Sequence, residues 1–335
     1  MRLVAAGVLV GLVLFWIGVN FVRDWPTGAE NVYANFLIGT KNGMLYGLIA
    51  IGYSLVYGIL ELINFAHGDV FMLGGMMTAT IITGLALEGG SWYGTAGGIV
   101  LAMVVAAAFC GTLNAVIERA AYRRLRNAPR LAPLITAIGV SFILQNVGLI
   151  WKGARPVSVP NVLPHGAVFT IGGVAYTWKM FFVLCVTVPT LAGLTWLVQR
   201  TRRGKAMRAI AQDREAAAMM GIDVNRTISF TFALAGCLAG IAGVVFALDT
   251  TNVTFLTGFR TGLIAFTAAV LGGIGNLSGA VVGAMLIGLT QSFTDGLRWH
   301  SPGSAWTEAV VFGILILILV FRPEGLLGEQ TPEGA

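Results

Sequence analysis

The sequence predicts an all-α integral membrane protein, a polytopic bundle of about eight to ten transmembrane helices, some of them broken or short. Of its 335 residues, 56% are hydrophobic and only 11% are charged, whereas a soluble domain carries roughly 25% charged residues. The 45 glycines favour the same class, because helices in lipid pack closely through small residues. Long continuous apolar runs favour helices over a β-barrel, whose strands are alternating segments of about ten residues.

A membrane-spanning helix needs about 20 consecutive apolar residues, and the chain contains ten candidate segments, two of them short. The predicted spans are 3–22, 36–60, 69–87, 94–117, 131–150, 178–199, 227–248, 259–274, 279–297 and 307–321. The first span could instead be a signal peptide, but no small-residue cleavage site follows it before Arg23, which favours an uncleaved helix. We therefore expect an extra helix and an outside loop at residues 1–35, and a terminal tail at 328–335.

The net charge of +6 is concentrated in two short stretches of the chain. Residues 119–130 hold five of the 21 Lys and Arg, and residues 200–226 hold seven. Basic clusters of this kind mark cytoplasmic loops under the positive-inside rule, which predicts a multi-pass protein of the plasma membrane with both termini in the cytoplasm. The same distribution predicts anionic membrane lipids, and no nucleic acid, as the partner of the basic residues.

Two polar segments, residues 61–69 and 272–279, interrupt the apolar pattern between neighbouring spans. Irregular backbone at membrane depth is tolerated where it is buried in protein or lines a watery path, and paired interruptions in a transporter point to its pathway. The alternative for the first segment is a polar helix break whose side chains satisfy freed backbone groups. The candidates for the pathway or its gate are Asn64, His67, Asp69, Gly273, Gly275 and Asn276.

Residues 200–226 form a charged island in an otherwise apolar chain. The stretch from Lys205 to Glu215 consists mostly of strong helix formers and predicts a short amphipathic helix, followed by a turn at Gly221. The predicted apolar stripe of this helix is Met207, Ile210, Ala211 and Ala218. From these residues alone, two interpretations stay open: a helix lying on the inner leaflet of the membrane, or a rigid lever that fits into a groove of a partner.

Five motifs, in order along the chain, resemble the permease subunit of branched-chain amino acid ABC importers. The motifs are Gly47–Gly58, Ile63–Asp69, Arg208–Asp213 together with Gly221 and Ile222, Phe266–Gly275, and Arg322–Leu327. The resemblance implies an importer transmembrane domain over residues 36–327 that forms half of a translocation pathway. It also implies that the island is a cytoplasmic loop that couples the permease to an ATPase.

The coupling residues follow from this resemblance and from the Glu-Ala-Ala-x-x-x-Gly pattern that begins at Glu215. The residues implied to contact or support the ATPase are Arg208, Asp213, Glu215, Ala216, Ala217 and Gly221. The chain departs from the longer docking pattern of ABC importers, because Gly221 is not followed by Ile-x-Leu-Pro. The resemblance therefore implies the location of the docking site more firmly than its contact geometry.

The resemblance further implies a second related permease subunit, two ATP-binding subunits and an extracytoplasmic substrate-binding protein. No cofactor is expected in this chain, since ATP would be used by a partner, and no Gly-x-x-x-x-Gly-Lys-Ser/Thr phosphate loop occurs in it. We therefore expect a transport subunit that is not itself an enzyme. Alternatives are a permease for urea, short amides or other amino acids, a stand-alone secondary carrier, and an intramembrane enzyme that uses Asn64, His67 and Asp69.

Overall fold

A computed structural model describes residues 18–19, 27–85, 92–126, 128–129, 131–296, 303–322 and 324–328. These residues are mainly helical, which confirms the predicted all-α class. The helices are α1 (Thr27–Leu60), α2 (Ala66–Gly84), α3 (Trp92–Ile117), α4 (Leu131–Lys152), α5 (Trp178–Arg200), α6 (Arg202–Gln212), α7 (Arg214–Met219), α8 (Val224–Thr250), α9 (Thr257–Gly272), α10 (Leu277–Gly296) and α11 (Thr307–Phe321). A π-helix (Glu118–Tyr122) and a 3-10 turn (Arg123–Leu125) extend α3, and another 3-10 turn (Ser304–Trp306) precedes α11.

A described helix lies at every predicted span from residue 36 onward. Among the described residues, seven helices are long and apolar enough to cross a membrane, and α9 is a shorter apolar helix. The largest difference is at α1, which begins at Thr27 and crosses the predicted boundary at residue 36. Its 34 residues form a helix about 51 Å long, which exceeds the roughly 30 Å of a hydrocarbon core. Its first turns are polar, and a search for apolar runs therefore does not include them. The predicted span at 3–22, apart from 18–19, and the tail beyond Gly328 lie outside the described residues.

The described residues include four short strands, which form two antiparallel pairs at one end of the bundle. Strand β1 (Val157–Ser158) pairs with β4 (Asn252–Val253), with Val157 opposite Val253. Strand β2 (Ala167–Ile171) pairs with β3 (Val174–Thr177). The connection between α4 and α5 therefore contains β1, β2 and β3, and β1 joins it to the end of α8.

The α1–α10 contact depends on glycine. A methyl group built on Gly43 would lie 2.8 Å from Met285 Cα, closer than carbon atoms approach in proteins. A methyl group on Gly47 would meet Ala284 Cβ at an ordinary 3.8 Å. The backbones of α1 and α10 are thus closest near Gly43, as expected where dispersion and close approach stabilise helix pairs in lipid.

Helix α2 is the central element of the bundle. Every residue from Ala66 to Met76 is buried, which is the pattern of a helix surrounded by protein on all sides. A methyl group on Gly262 of α9 would lie 2.9 Å from Gly68 Cα, and one on Gly74 would lie 3.0 Å from Gly240 Cα of α8. Glycines therefore let α2 approach two neighbouring helices at backbone distance.

Candidate functional site

The two basic stretches of the sequence lie at the same end of the molecule, which we call the basic face (residues 118–126, 128–129 and 200–226). Glu118, the first residue of the π-helix that extends α3, is fully buried. Its carboxylate forms ion pairs with Arg123 and Arg126 and accepts a 2.6 Å hydrogen bond from Ser229 Oγ. Arg126 Nη1 also donates to Asn225 Oδ1 at 2.7 Å. One buried carboxylate thereby ties the end of α3 to the beginning of α8.

Arg126 is held in a partly desolvated position by this cluster. Burial lowers the pKa of its guanidinium, and the nearby Glu118 carboxylate opposes that shift. A guanidinium keeps its charge at any physiological pH, so Arg126 stays cationic within the cluster.

The island folds as two helices, α6 and α7, rather than the predicted single helix. The break is at Asp213, whose extended backbone (φ −155°) places its carboxylate over the start of α7. Asp213 Oδ1 accepts hydrogen bonds from the backbone N–H groups of Glu215 (2.8 Å) and Ala216 (3.0 Å). Aspartate is one of the preferred residues for this N-cap role. Helix α6 therefore ends before Asp213 and does not continue into α7.

This break corrects the predicted apolar stripe. Met207 and Ile210 are buried, as predicted, but Ala211 and Ala218 are exposed. Ala217 is buried instead, because α7 starts again with a different rotation after Asp213. The buried side chains of α6 pack on the protein's own core. Helix α6 therefore has no free apolar stripe that could insert into lipid.

The predicted turn at Gly221 is present and closes α7 with a Schellman motif. Gly221 has φ 80°, its N–H donates to Ala218 O at 3.0 Å, and the N–H of Ile222 donates to Ala217 O at 3.1 Å. These two bonds satisfy carbonyl groups that a helix end leaves free. Helix α7 is therefore fixed at both ends, although it has only six residues.

The coupling residues implied by the resemblance divide into two groups in the structure. Arg208 Nη1 donates to Val198 O of α5 at 2.7 Å, and with Asp213 and Ala217 it holds the island in place. Glu215 and Gly221 are exposed, and Ala216 is half-buried. Their participation in ATPase contact stays a prediction.

Sequence reasoning missed an apolar pair beside these residues. Met219 and Met220 are 82% and 83% exposed at the tip of α7. A pair of methionines within a charged segment is the signal that could have identified them, since exposed methionines adapt to partner surfaces. They extend the exposed part of the island into a mixed polar and apolar surface.

Asn64, His67 and Asp69 are buried, and the polar interruption predicted at residues 61–69 is shorter in the structure. Only Asn64 lies in the connection, whereas His67 and Asp69 belong to the first turn of α2. Backbone groups surrounded by protein must pair with one another, so the helix begins as soon as the chain re-enters the bundle. The interruption predicted over residues 61–69 is therefore confined to residues 61–65, and α2 begins before the predicted start of the span at residue 69.

Each of these three residues contacts a different helix. Tyr122 Oη donates to Asn64 Oδ1 at 2.8 Å, and the His67 ring lies 4.8 Å from the ring of Tyr53. Ser141 Oγ of α4 donates to Asp69 Oδ2. Within the described residues, Asp69 Oδ1 has no hydrogen-bond partner, which is an unusual state for a buried oxygen.

The second predicted interruption, residues 272–279, is shorter in the structure, where Gly273 to Asn276 form the connection between α9 and α10. Both Gly273 (φ 107°) and Gly275 (φ 95°) adopt positive φ. Asn276 Oδ1 accepts from Gly279 N–H at 3.0 Å, and Asn276 Nδ2 donates to Leu327 O at 2.8 Å. The six pathway candidates therefore do not form one cluster, because α2 crosses α9 near Gly262 while Gly273 is at the other end of α9.

The end opposite the basic face carries polar contacts that the sequence reasoning did not identify. Lys41 Nζ pairs with Asp249 Oδ2 at 2.6 Å, and Lys179 Nζ donates to Asp249 O at 2.8 Å. A cavity of about 320 Å³ opens between α1, α8, α9, α10 and α11. Tyr46 and Gln291, joined by a 2.5 Å hydrogen bond, line this cavity.

Known proteins resemble the chain over most of its length. The family model described as branched-chain amino acid transport system / permease component matches residues 35–320. The chain is 38% identical over 304 residues to the high-affinity branched-chain amino acid transport system permease protein BraD of Pseudomonas aeruginosa, covering 88% of this chain and 95% of that protein. It is 37% identical over 303 residues to LivH of Escherichia coli (strain K12), a permease protein of the same description, with the same coverage. The chain therefore belongs to the family of permease components of branched-chain amino acid transport systems.

Proposed function

We propose that this protein is the transmembrane permease subunit of an ATP-driven importer of the branched-chain amino acids leucine, isoleucine and valine. The observation that carries the proposal is the 37–38% identity, over 88% of the chain, to permease proteins of such systems. The importer lies in the plasma membrane with the basic face in the cytoplasm, as the clustered Lys and Arg residues favour. With the predicted span at 3–22, both termini are cytoplasmic.

In this proposal, the island docks on a separate subunit that binds and hydrolyses ATP. The two caps of α7 support this role, because a short helix with fixed ends transmits a displacement without unwinding. The exposed surface of Glu215, Met219 and Met220 supplies one charge and two adaptable apolar side chains. The alternative inner-leaflet helix is disfavoured, because Met207 and Ile210 are buried in the protein and an interfacial helix needs a free apolar face.

The complete importer contains two ATP-binding subunits, a second related permease subunit that forms the other half of the pathway, and an extracytoplasmic substrate-binding protein. No cofactor is assigned to this chain, and ATP is consumed by its partners. The protein is a transport subunit and not an enzyme in its own right.

The test is uptake of labelled leucine by liposomes that contain the complete complex. We expect ATP-dependent uptake that is lost when this subunit is omitted, because each permease supplies half of the pathway. Labelled urea serves as the control substrate. Uptake of urea in place of leucine would reassign the substrate class, and ATP-independent uptake by this subunit alone would favour a secondary carrier.

We also propose that Asn64, His67, Asp69, Gly273, Gly275 and Asn276 contribute to the pathway or its gate, with Asp69 as the clearest case. A buried carboxylate in a membrane protein is costly and for that reason commonly functional, and Asp69 has one oxygen available beside its bond from Ser141. An Asp69→Asn subunit keeps the volume and an acceptor for Ser141 but loses the charge. We expect normal assembly and uptake slower by about tenfold, the scale of one hydrogen bond to a charged group. Unchanged uptake would remove Asp69 from the pathway.

A further inference from the structure

Arg214, the first residue of α7, links the island to the end of α1. Its Nη2 atom donates to Ile59 O at 3.0 Å. Among the described residues, this is the one hydrogen bond that joins residues 202–219 to α1 or to the connection after it. A cavity of about 280 Å³ lies between Ile210–Gln212 and Ile59–Leu62. The arginine side chain lines this cavity and bridges its two sides.

The position of Ile59 makes this bond a strong one. Ile59 belongs to the last turn of α1, where carbonyl groups lack partners within the helix and the helix dipole concentrates partial negative charge. A guanidinium therefore gains both a charge-assisted hydrogen bond and a favourable interaction with the dipole. Because Asp213 caps the helix that begins at Arg214, the backbone of this arginine moves with α7.

The connection after Ile59 leads into the centre of the bundle. Glu61 adopts a left-handed backbone, φ 54°, which costs a non-glycine residue on the order of 1–2 kcal/mol. Asn64 is then held by Tyr122, and α2 begins with His67 packed against Gly52. Gly52 precedes the end of α1 by about 12 Å along the helix axis. A movement of Ile59 is therefore transmitted through the short strained connection, residues 61–65, to the buried start of α2.

We infer that Arg214 is the positioning residue through which a displacement of α7 reaches the carboxyl end of α1, residues 61–65 and the start of α2. The inference rests on the proposed function, in which an ATPase moves α7. It assigns the transmission of that movement to one hydrogen bond, Arg214 Nη2 to Ile59 O.

The test uses the complete complex in liposomes and measures ATP molecules hydrolysed per leucine imported. Arg214→Met keeps the long side-chain stem and removes the donors, whereas Arg214→Lys restores a cationic donor. Arg226→Gln is the matched control, because Arg226 lies in the same island, is 91% exposed and, within the described part of the chain, forms an ion pair only with neighbouring Asp223. We expect Arg214→Met to assemble and to raise the ratio about tenfold, Arg214→Lys to reverse most of this increase, and Arg226→Gln to match the wild type.

The outcomes separate this inference from the proposed function. A wild-type complex that imports leucine, together with an unchanged ratio in Arg214→Met, would overturn the inference and leave the proposed function intact. A proportional loss of uptake and ATP hydrolysis would also overturn it, because the ratio would then be constant. If Arg214→Met does not assemble, Arg214→Lys decides: its shorter donor should raise the ratio measurably, and an unchanged ratio refutes the role. A wild-type complex without ATP-dependent uptake would refute the proposed function itself.

Discussion

Replacing Glu215 by alanine and Gly221 by valine in the same subunit is expected to abolish leucine uptake and its link to ATP hydrolysis, while insertion into the membrane stays normal. Valine at φ 80° costs on the order of 1–2 kcal/mol and disrupts the Schellman motif that ends α7. Loss of Glu215 removes an exposed carboxylate from the proposed docking surface. Both side-chain positions are exposed, so the transmembrane bundle keeps its packing.

Three measurements test this prediction: the yield of folded protein in membranes, co-purification with the ATP-binding subunits, and uptake in liposomes. Gly166→Val is the matched control. Gly166 also has a positive φ (103°) and open space around it, but it lies outside the island, directly before β2. This control should import leucine normally. Unchanged uptake by the double variant would return the island to the role of a membrane-surface helix.

Replacing Glu118 by alanine is expected to lower the free energy of unfolding by about 3–5 kcal/mol, the usual result of removing one partner from a buried ion pair. The loss leaves Arg126, whose side chain is only 12% exposed, without its main countercharge. It also removes the acceptor of Ser229 Oγ, which connects α3 to α8 across 111 residues of sequence. Thermal unfolding of the purified protein in detergent measures the change.

Glu308→Ala is the control for this change, because it removes a carboxylate from an ion pair in a more exposed setting. Arg260 and Glu308 are 69% and 48% exposed, and solvent screening limits such pairs to about 0–1 kcal/mol. We expect a small shift in melting temperature for Glu308→Ala and a large one for Glu118→Ala. Equal shifts would show that the Glu118 cluster does not hold α3 to α8.

Much of the fold was predictable because membrane spans are encoded locally. A run of apolar residues identifies a helix without reference to the rest of the chain, and the nine predicted spans from residue 36 onward coincide with described helices. Gly221 likewise carries its own turn signal, since glycine readily adopts positive φ. Asp213 carried a signal for a helix start as well, but the strong helix formers around it concealed the break.

The candidate site was less predictable, because its contacts join residues that are far apart in the chain. Nothing near Glu118 identifies Ser229 as its partner, and nothing near Ile59 identifies Arg214, 155 residues away. The burial of Asp69 against Ser141 was equally invisible, because the two residues are 72 positions apart in the chain.

The sequence by itself determined the class of the protein, its helices from residue 36 onward and the two basic stretches, since hydropathy and charge act over neighbouring residues. The tertiary structure alone decided that α2 begins beside Gly52, deep within the bundle, and that Arg214 holds the end of α1. Those features depend on which helices pack together at backbone distance, and packing in lipid is selected by shape and hydrogen bonding over the whole bundle.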